Sequence, residues 1–506
     1  MPSTSIDHPR SLIPNSPLLR TSLWFVLIAC GCLVLADLSV TSIDPWPEMR
    51  RLLVGLVTPR IGDIVELKDA LVLTVAFAIL GTVVANAAGF LLALLFHYRV
   101  TRIVCASVRS VHEIFWALIF MQLFGLTALT GVLAIAIPFT GICAKVYAEI
   151  LEESDTSALS AVPAGSNMVS TFFYARLPDA WVHFKTYSLY RLECALRSSA
   201  VLGFVGLPTL GFYLETAFKE GHYSELSALL IVFFIVIATV RIWVRRSLIP
   251  IYVLIALWVM PESSGMSWEN AWRFFIHDIV PLPLRSGDLV SVSTWLTFAD
   301  WGWTLLIREV LPGIYNTLIL TMISLVASGV LALLFFPLIS PVFIGRFGRT
   351  IGHVFLVVVR STPEFVLAFV LLQLWGPSML PAVVALALHN GGVIGHLIGR
   401  YTEHLRLRPD HAKGVNLYTY EVLPSVYPQF LAFLFYRWEV ILRETAILGI
   451  LGVHTLGFYV DSAFADIRFD RAIVLIVITA MLNITIDSIS RRIRTRLRLR
   501  VALDAR

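Results

Sequence analysis

Long apolar stretches recur along the whole chain, near residues 22–39, 70–96, 110–126, 127–148, 188–212 and 225–244, and again near 248–261, 313–340, 350–375, 379–398, 429–453 and 471–488. About 20 mostly apolar residues make a helix long enough to cross the roughly 30 Å of bilayer hydrocarbon. Six such stretches followed by six more constrain the chain to an all-α polytopic membrane fold, since a helix satisfies its own backbone polar groups in lipid. Composition agrees: only 14% of the 506 residues are charged, against about 25% in soluble domains. The formal net charge of +5 does not point to nucleic acid. Much of it lies in RRIRTRLRLR (491–500), directly after the last apolar stretch, where it reads as a cytoplasmic anchor on the lipid bilayer. Five scattered cysteines form neither a disulfide framework nor a metal cluster. Leu-Ile-Ala-Cys at 27–30 has the look of a lipoprotein cleavage box, but the polar leader is long, and 22–39 reads as a retained signal anchor.

Sidedness follows from arginine. With the N-terminus inside, cytoplasmic segments hold Arg99, Arg102 and Arg109, then Arg241, Arg245 and Arg246, then Arg346 and Arg349, then the basic tail. The outer loop 262–302 is acidic instead, with Glu262, Glu269, Asp278, Asp288 and Asp300 against Arg273 and Arg285. Removing the short stretch 248–261 would put the arginine tail outside, so it is expected to span, and both termini are expected in the cytoplasm.

The sequence also repeats itself. YRLECALRSSAVLGFVGLPTLGFYLETAF (190–218) aligns without gaps with YRWEVILRETAILGILGVHTLGFYVDSAF (436–464) at an offset of 246 residues. Upstream, Arg109 and Glu113 match Arg360 and Glu364, QLFG (122–125) matches QLWG (373–376), and Ala134, Ala136 and Gly141 match Ala385, Ala387 and Gly392. An even number of spans per half gives both repeats one orientation, as in transporters built from parallel repeats about a pseudo-two-fold axis.

Ionisable residues inside spans are costly and face protein or a watery cavity. Here they come four apart: Arg109 with Glu113, Arg360 with Glu364, Glu193 with Arg197, and Glu439 with Arg443. On one helix such pairs share a face and neutralise each other. For Glu193–Arg197 and Glu439–Arg443 an ion pair fixing helix register is the expected role. Arg109, Glu113, Arg360 and Glu364, with the hydroxyls of Ser361 and Thr362, are candidates for the transport pathway, as is Asn390; His389 beside it reads as a packed, hydrogen-bonded histidine. Gly206, Gly211, Gly452 and Gly457 suit close helix packing, with a hinge as the sharper alternative.

Between the fourth and fifth spans of each half lies a mixed polar and apolar segment, SALSAVPAGSNMVSTFFYARLP ending at Pro178 and RLRPDHAKGVNLYTYEVLP ending at Pro424. Each carries a glycine, Gly165 or Gly414, ahead of Leu-Pro, and proline is expected to break short surface helices there, which by their pattern alone could equally rest on lipid. This segment and the spans after it resemble the cytoplasmic loop of type I permeases in binding-protein-dependent ABC importers. More narrowly, LPSVYPQFLAFLFYRWEVILRETAILGILGVHTLGF (423–458) and RSTPEFVLAFVLLQLWG (360–376) are similar to the phosphonate-transport permeases, with a diverged copy in the first half. The resemblance covers roughly 65–245 and 310–495. It implies coupling helices at Gly165 and Gly414 that dock into two copies of an ATP-binding subunit, an extracytoplasmic solute-binding protein, and a phosphonate or related phosphorus oxyanion (phosphite, phosphate) as cargo. The loops are unequal, thirteen residues from Gly165 to Pro178 and ten from Gly414 to Pro424, and the family's acidic-alanine-alanine start is degraded in both.

No Gly-x-x-x-x-Gly-Lys-Ser/Thr loop occurs and no glycine precedes a lysine, so the chain is not itself a P-loop ATPase. No catalytic, cofactor-binding or metal constellation is expected; ATP and Mg would be bound by the partner ATPase. The expected organisation is an N-terminal anchor and outer loop (1–68), a first permease domain (69–247), a junction helix and outer loop (248–312), a second permease domain (313–492) and a basic tail (493–506), in a bacterial inner membrane. The alternative is an ion-gradient-driven secondary transporter of a small anion.

Overall fold

The computed structural model describes residues 16–40, 44–153, 162–163, 166–261, 268–405 and 407–499; Gly165 and the end of the basic tail lie outside these. No strand occurs among the described residues. The principal helices are α1 (Pro17–Leu35), α2 (Trp46–Val57), α3 (Ile64–Leu94), α4 (Arg99–Ser110), α5 (Glu113–Phe124), α6 (Ala128–Glu153), α7 (Leu177–Val201), α8 (Leu210–Lys219), α9 (Tyr223–Trp243) and α10 (Ile249–Val259). They continue as α11 (Val292–Leu305), α12 (Leu311–Phe335), α13 (Arg346–Ser361), α14 (Glu364–Trp375), α15 (Met379–Tyr401), α16 (Leu423–Ile450), α17 (Leu456–Ala465) and α18 (Phe469–Arg496).

The chain divides into two compact units. One takes its described residues from Pro47–Ala299 and Asp466–Met481; the other takes them from Met1–Trp46, Asp300–Ala465 and Leu482–Arg506. We call them the first and second unit. In the first, α3 packs along α6 and α7, α5 along α6, and α10 on α3. In the second, α12 packs along α15 and α16, α14 along α15, and α1 on α12. The N-terminal helix thus belongs to the unit built from the C-terminal repeat. Its Phe25 meets the rings of Phe435 and Trp438 edge-on at 5.0 and 5.2 Å, and Tyr427 Oη donates to Ser22 Oγ at 2.7 Å.

Among the described residues, seven helices are long and apolar enough to cross a membrane, or ten if each of three bent pairs counts as one span. Of the twelve expected stretches the other two are α10, an apolar helix of 11 residues, and α16, whose 28 residues include Arg437, Glu439, Arg443 and Glu444. The bends correct the reading of 110–126 and 350–375 as simple spans. Between α4 and α5 the chain turns by 91°, and between α13 and α14 by 88°. The physical cause is local. His112 caps α5, its Nδ1 accepting from Ile114 N at 3.2 Å, and at the matching place Pro363 precedes α14 with no amide hydrogen to continue α13. In the described part of the outer loop, 268–302, α11 runs through a wide turn into α12 as one helix, Val292–Leu338.

The expected helix breaks at Leu-Pro do not occur. Pro178, Pro312 and Pro424 each stand at the second residue of an α-helix, and each is preceded by a π-helical turn, at Phe172–Arg176, Leu306–Val310 and Leu417–Val422. Proline lacks the N–H of the usual bond and its ring crowds the carbonyl four residues back. A π turn widens the coil at that point, so the helix continues instead of stopping.

The repeat is visible in detail. Gly206 and Gly452 both have φ +92°, in the left-handed region that glycine tolerates, and each ends the tight turn before the next short helix. That helix then starts on a threonine from the neighbouring core helix: Thr74 Oγ1 accepts from Leu210 N at 2.8 Å, and Thr317 Oγ1 from Leu456 N at 3.0 Å. Gly211 and Gly457 serve close approach. A Cβ on Gly211 would lie 1.6 Å from Ala200 O, and one on Gly457 2.2 Å from Ala446 O.

Candidate functional site

Three helices of the second unit converge on a buried polar cluster. Glu364 opens α14 directly after the bend, His389 and Asn390 lie midway along α15, and Arg437 and Glu444 sit two turns apart on α16. His389 Nδ1 donates to the Thr362 carbonyl at 3.1 Å, which fixes the ring and turns Nε2 toward Glu364 Oε2, 3.9 Å away. Asn390 is fully buried. Its amide nitrogen donates to Leu386 O at 3.0 Å and to Glu444 Oε2 at 2.9 Å, while its oxygen accepts from Arg437 Nε at 2.7 Å. Arg437 also lies 3.8 Å from Glu444. Glu364, His389 and Glu444 bring one ligand-type atom each within 4.8 Å of one another, a grouping that the sequence reading, with no metal site, did not foresee. The donor types suit a transition metal. Arg437 supplies positive charge to Glu444 and His389 lies beside Glu364, so the arrangement reads as an ion-pair and hydrogen-bond network.

The first unit has the same scaffold with different chemistry. Glu113 opens α5 and accepts from Ser198 Oγ at 2.7 Å, with His112 Nε2 at 3.8 Å. Ser198 stands where Glu444 stands in the other repeat, and Phe139 where Asn390 stands. Arg191, the counterpart of Arg437, donates to Tyr187 Oη at 2.8 Å, and its guanidinium lies 5.2, 5.2 and 5.5 Å from the ring centres of Phe139, Tyr187 and Tyr190. One arginine is held by carboxylate and amide, the other by aromatic faces.

The four-residue spacings resolve differently. Glu193 and Arg197 are one turn apart on α7, and Glu439 and Arg443 one turn apart on α16. Arg109 and Arg360 instead lie in the last turns of α4 and α13, while Glu113 and Glu364 begin α5 and α14. These pairs do not share a helical face, because the chain turns through about a right angle between their members. Ser361 is the last residue of α13 and Thr362 its cap, whose carbonyl receives His389. Pro178 and Pro424 head α7 and α16. Gly414 adopts φ +61° ahead of the π turn, in a segment where Ala412 N donates to Glu421 Oε1 at 2.9 Å. Arg437, Glu444, Arg191 and Ser198 were not singled out from sequence. The available signal was the repeat itself: a serine in one copy against a glutamate in the other marks a place where the two halves differ in charge.

A duplicated core of long apolar helices with buried charge and broken helices defines a polytopic integral membrane protein. Residues 335–499 match the family described as binding-protein-dependent transport system inner membrane component. That match lies in the second half of the chain, and with its several apolar helices the chain is a multi-pass inner-membrane protein. It is 26% identical over 489 residues to the phosphate-import permease protein PhnE of Mycolicibacterium smegmatis, covering 90% of each chain. It is also 29% identical over 217 residues to the phosphite transport system permease protein PtxC of Stutzerimonas stutzeri, covering 41% of this chain and 78% of that one. No solved structure matches.

Proposed function

We propose that this chain is the fused, two-half permease of an ATP-driven importer that carries a phosphorus oxyanion, phosphate, phosphite or a phosphonate, across the inner membrane. The observation that carries the reading is end-to-end similarity to a phosphate-import permease over 90% of both chains, rather than over one half alone. Residues 69–247 and 313–492 are the two permease domains of this proposal, with both termini in the cytoplasm. Hydrolysis belongs to two copies of a separate ATP-binding subunit that holds ATP and Mg, and cargo arrives on an extracytoplasmic solute-binding protein. Nucleotide shifts such a permease only if it binds the inward- and outward-open states with different affinity. The segments leading to Pro178 and Pro424 are the proposed docking points for the ATPase. Arginine, hydroxyl and backbone N–H groups are the natural partners of phosphorus oxyanions, which supports Arg109, Arg360, Ser361 and Thr362, with Glu113, Glu364 and Asn390 behind them, as pathway candidates.

The buried Glu364–His389–Glu444 grouping supports a second reading, in which an ion gradient drives the cycle. Purification of the tagged chain with its native neighbours in mild detergent separates the two. The proposal expects an ATPase to co-purify, and expects it to be lost when Gly414 and Pro424 are replaced together. A chain that purifies alone and moves anion in liposomes down a proton gradient would overturn it.

A further inference from the structure

The first unit contains a cavity of about 580 Å³ between α3, α7 and α10. That volume falls in the range of about 300–1,000 Å³ typical of small-ligand sites. Its two long walls run antiparallel. Phe90 of α3 meets Phe184 of α7 with ring centres 5.9 Å apart, and one turn on, Asn86 and Ser188 share the hydroxyl of Tyr147 at 2.9 and 2.7 Å. The lining changes in character along these walls. Lys185 and Trp181 stand at one end, with the ammonium 5.9 Å from the indole ring centre. Asn86 and Ser188 follow, and beyond them the lining is mainly apolar, Ile79, Val83, Leu189 and Leu192, with the Thr82 hydroxyl among them. Lys185 is the one charged residue among the lining. From Lys185 to Leu192 is seven residues, about 10 Å of helix.

The order of groups is that of a glycerophospholipid: an anionic phosphate, then ester oxygens, then an acyl chain. The Asn86 Oδ1 already accepts from Tyr147 and from Cys143 Sγ, which leaves its amide nitrogen as the donor this lining residue has to offer. Lys185 lies near the start of α7, eight residues into a helix that begins at Leu177. In the topology proposed above that end faces the cytoplasm, and this part of the inference rests on that reading.

The other repeat indicates what such a place requires. Leu189, Leu192 and Trp181 correspond to Phe435, Trp438 and Tyr427, and there the protein fills the space itself: Phe25 of α1 packs on Phe435 and Trp438, and Ser22 meets Tyr427. In the first unit the helix on α3 is the 11-residue α10. It packs Ala256 against Ala76 and Leu80, and reaches the cavity only with Ile249 and Tyr252. We infer that the cavity between α3, α7 and α10 binds one anionic phospholipid of the inner leaflet, its phosphate at Lys185, its ester at Asn86 and an acyl chain along Leu189 and Leu192, doing in one half what the N-terminal helix does in the other.

The test is native mass spectrometry of the full-length chain, delipidated by detergent exchange and then offered phosphatidylglycerol, phosphatidylethanolamine or inorganic phosphate. The expected result is one retained phosphatidylglycerol per chain, preferred over phosphatidylethanolamine. Lys185→Ala should weaken retention about fivefold, and Leu189→Trp should abolish it, whereas Lys219→Ala, at an exposed lysine paired with Glu215, should leave it unchanged. Lys185→Ala decides the matter by itself if the tryptophan variant fails to fold. No retained lipid, or retention equal in wild type and Lys185→Ala, would overturn the inference. So would displacement of the lipid by millimolar phosphate, which would reassign Lys185 to a soluble anion. The readout needs no transport, so its failure and that of the importer reading are separable.

Discussion

Asn390→Leu is the perturbation that most directly probes the buried cluster of the second unit. The side chain is replaced by one of similar size, so the change removes hydrogen bonds without opening a large cavity. It breaks a bond of 2.7 Å from Arg437 Nε and one of 2.9 Å to Glu444 Oε2. Hydrogen bonds between neutral groups on membrane helices average about 0.6 kcal/mol, but bonds to charged groups contribute about 1.5–3 kcal/mol each. Arg437 and Glu444 remain 3.8 Å apart and retain each other as partners, which keeps the loss near the lower sum, about 3 kcal/mol. The assay is unfolding in mixed micelles with rising denaturing detergent, followed by tryptophan fluorescence, for Asn390→Leu, Arg437→Met and the double variant. Groups in one network couple by about 0.5–3 kcal/mol, and we expect a coupling of about 2 kcal/mol here. A loss below about 1 kcal/mol for Asn390→Leu, or additive single variants, would refute the argument that this network is a connected unit.

Three further outcomes follow from the duplicated geometry. Thr74→Val and Thr317→Val should each cost about 1 kcal/mol, the usual worth of a helix cap, and by similar amounts because the bonds are 2.8 and 3.0 Å; the same unfolding assay reads both. Gly211→Ala and Gly457→Ala should each destabilise by about 1–3 kcal/mol or more through backbone clash. Gly211→Ala should be the worse, since its overlap is at 1.6 Å against 2.2 Å, as judged by yield and melting temperature in detergent. Phe25→Ala should loosen the second unit by about 1 kcal/mol, the worth of its aromatic pairs, and limited proteolysis should then cut within 300–465 before it cuts within 47–299.

The architecture was legible because its signals are local. Apolar runs located the spans, and a gap-free repeat with Leu-Gly-Phe-Tyr in both copies announced two equivalent halves. What the sequence did not disclose is non-local. The spacing of Arg109 to Glu113 and Arg360 to Glu364 suggested one helical face, yet the chain turns between the members, and only Thr362-Pro363 hinted at it in the second half. The same periodicity drew attention to Glu439 and Arg443 on α16, whereas the residues of that helix that enter the cluster are Arg437 and Glu444, through an asparagine 47 residues before Arg437. Leu-Pro read as a helix stop because proline's cost is usually met by ending the helix; here a π turn meets it. The helix that α1 packs on begins almost 300 residues further along, and no pattern within 17–35 could name it.

The central claim is ATP-driven import of a phosphorus oxyanion, and the most direct measurement is uptake into proteoliposomes holding the full chain and its co-purifying ATPase. Cargo would be offered as radiolabelled phosphate, phosphite or a phosphonate, each loaded on the solute-binding protein. We predict accumulation of at least one of them that needs hydrolysable ATP and survives a protonophore. Accumulation that ignores ATP and collapses with the proton gradient would contradict the account and turn attention to Glu364, His389 and Glu444.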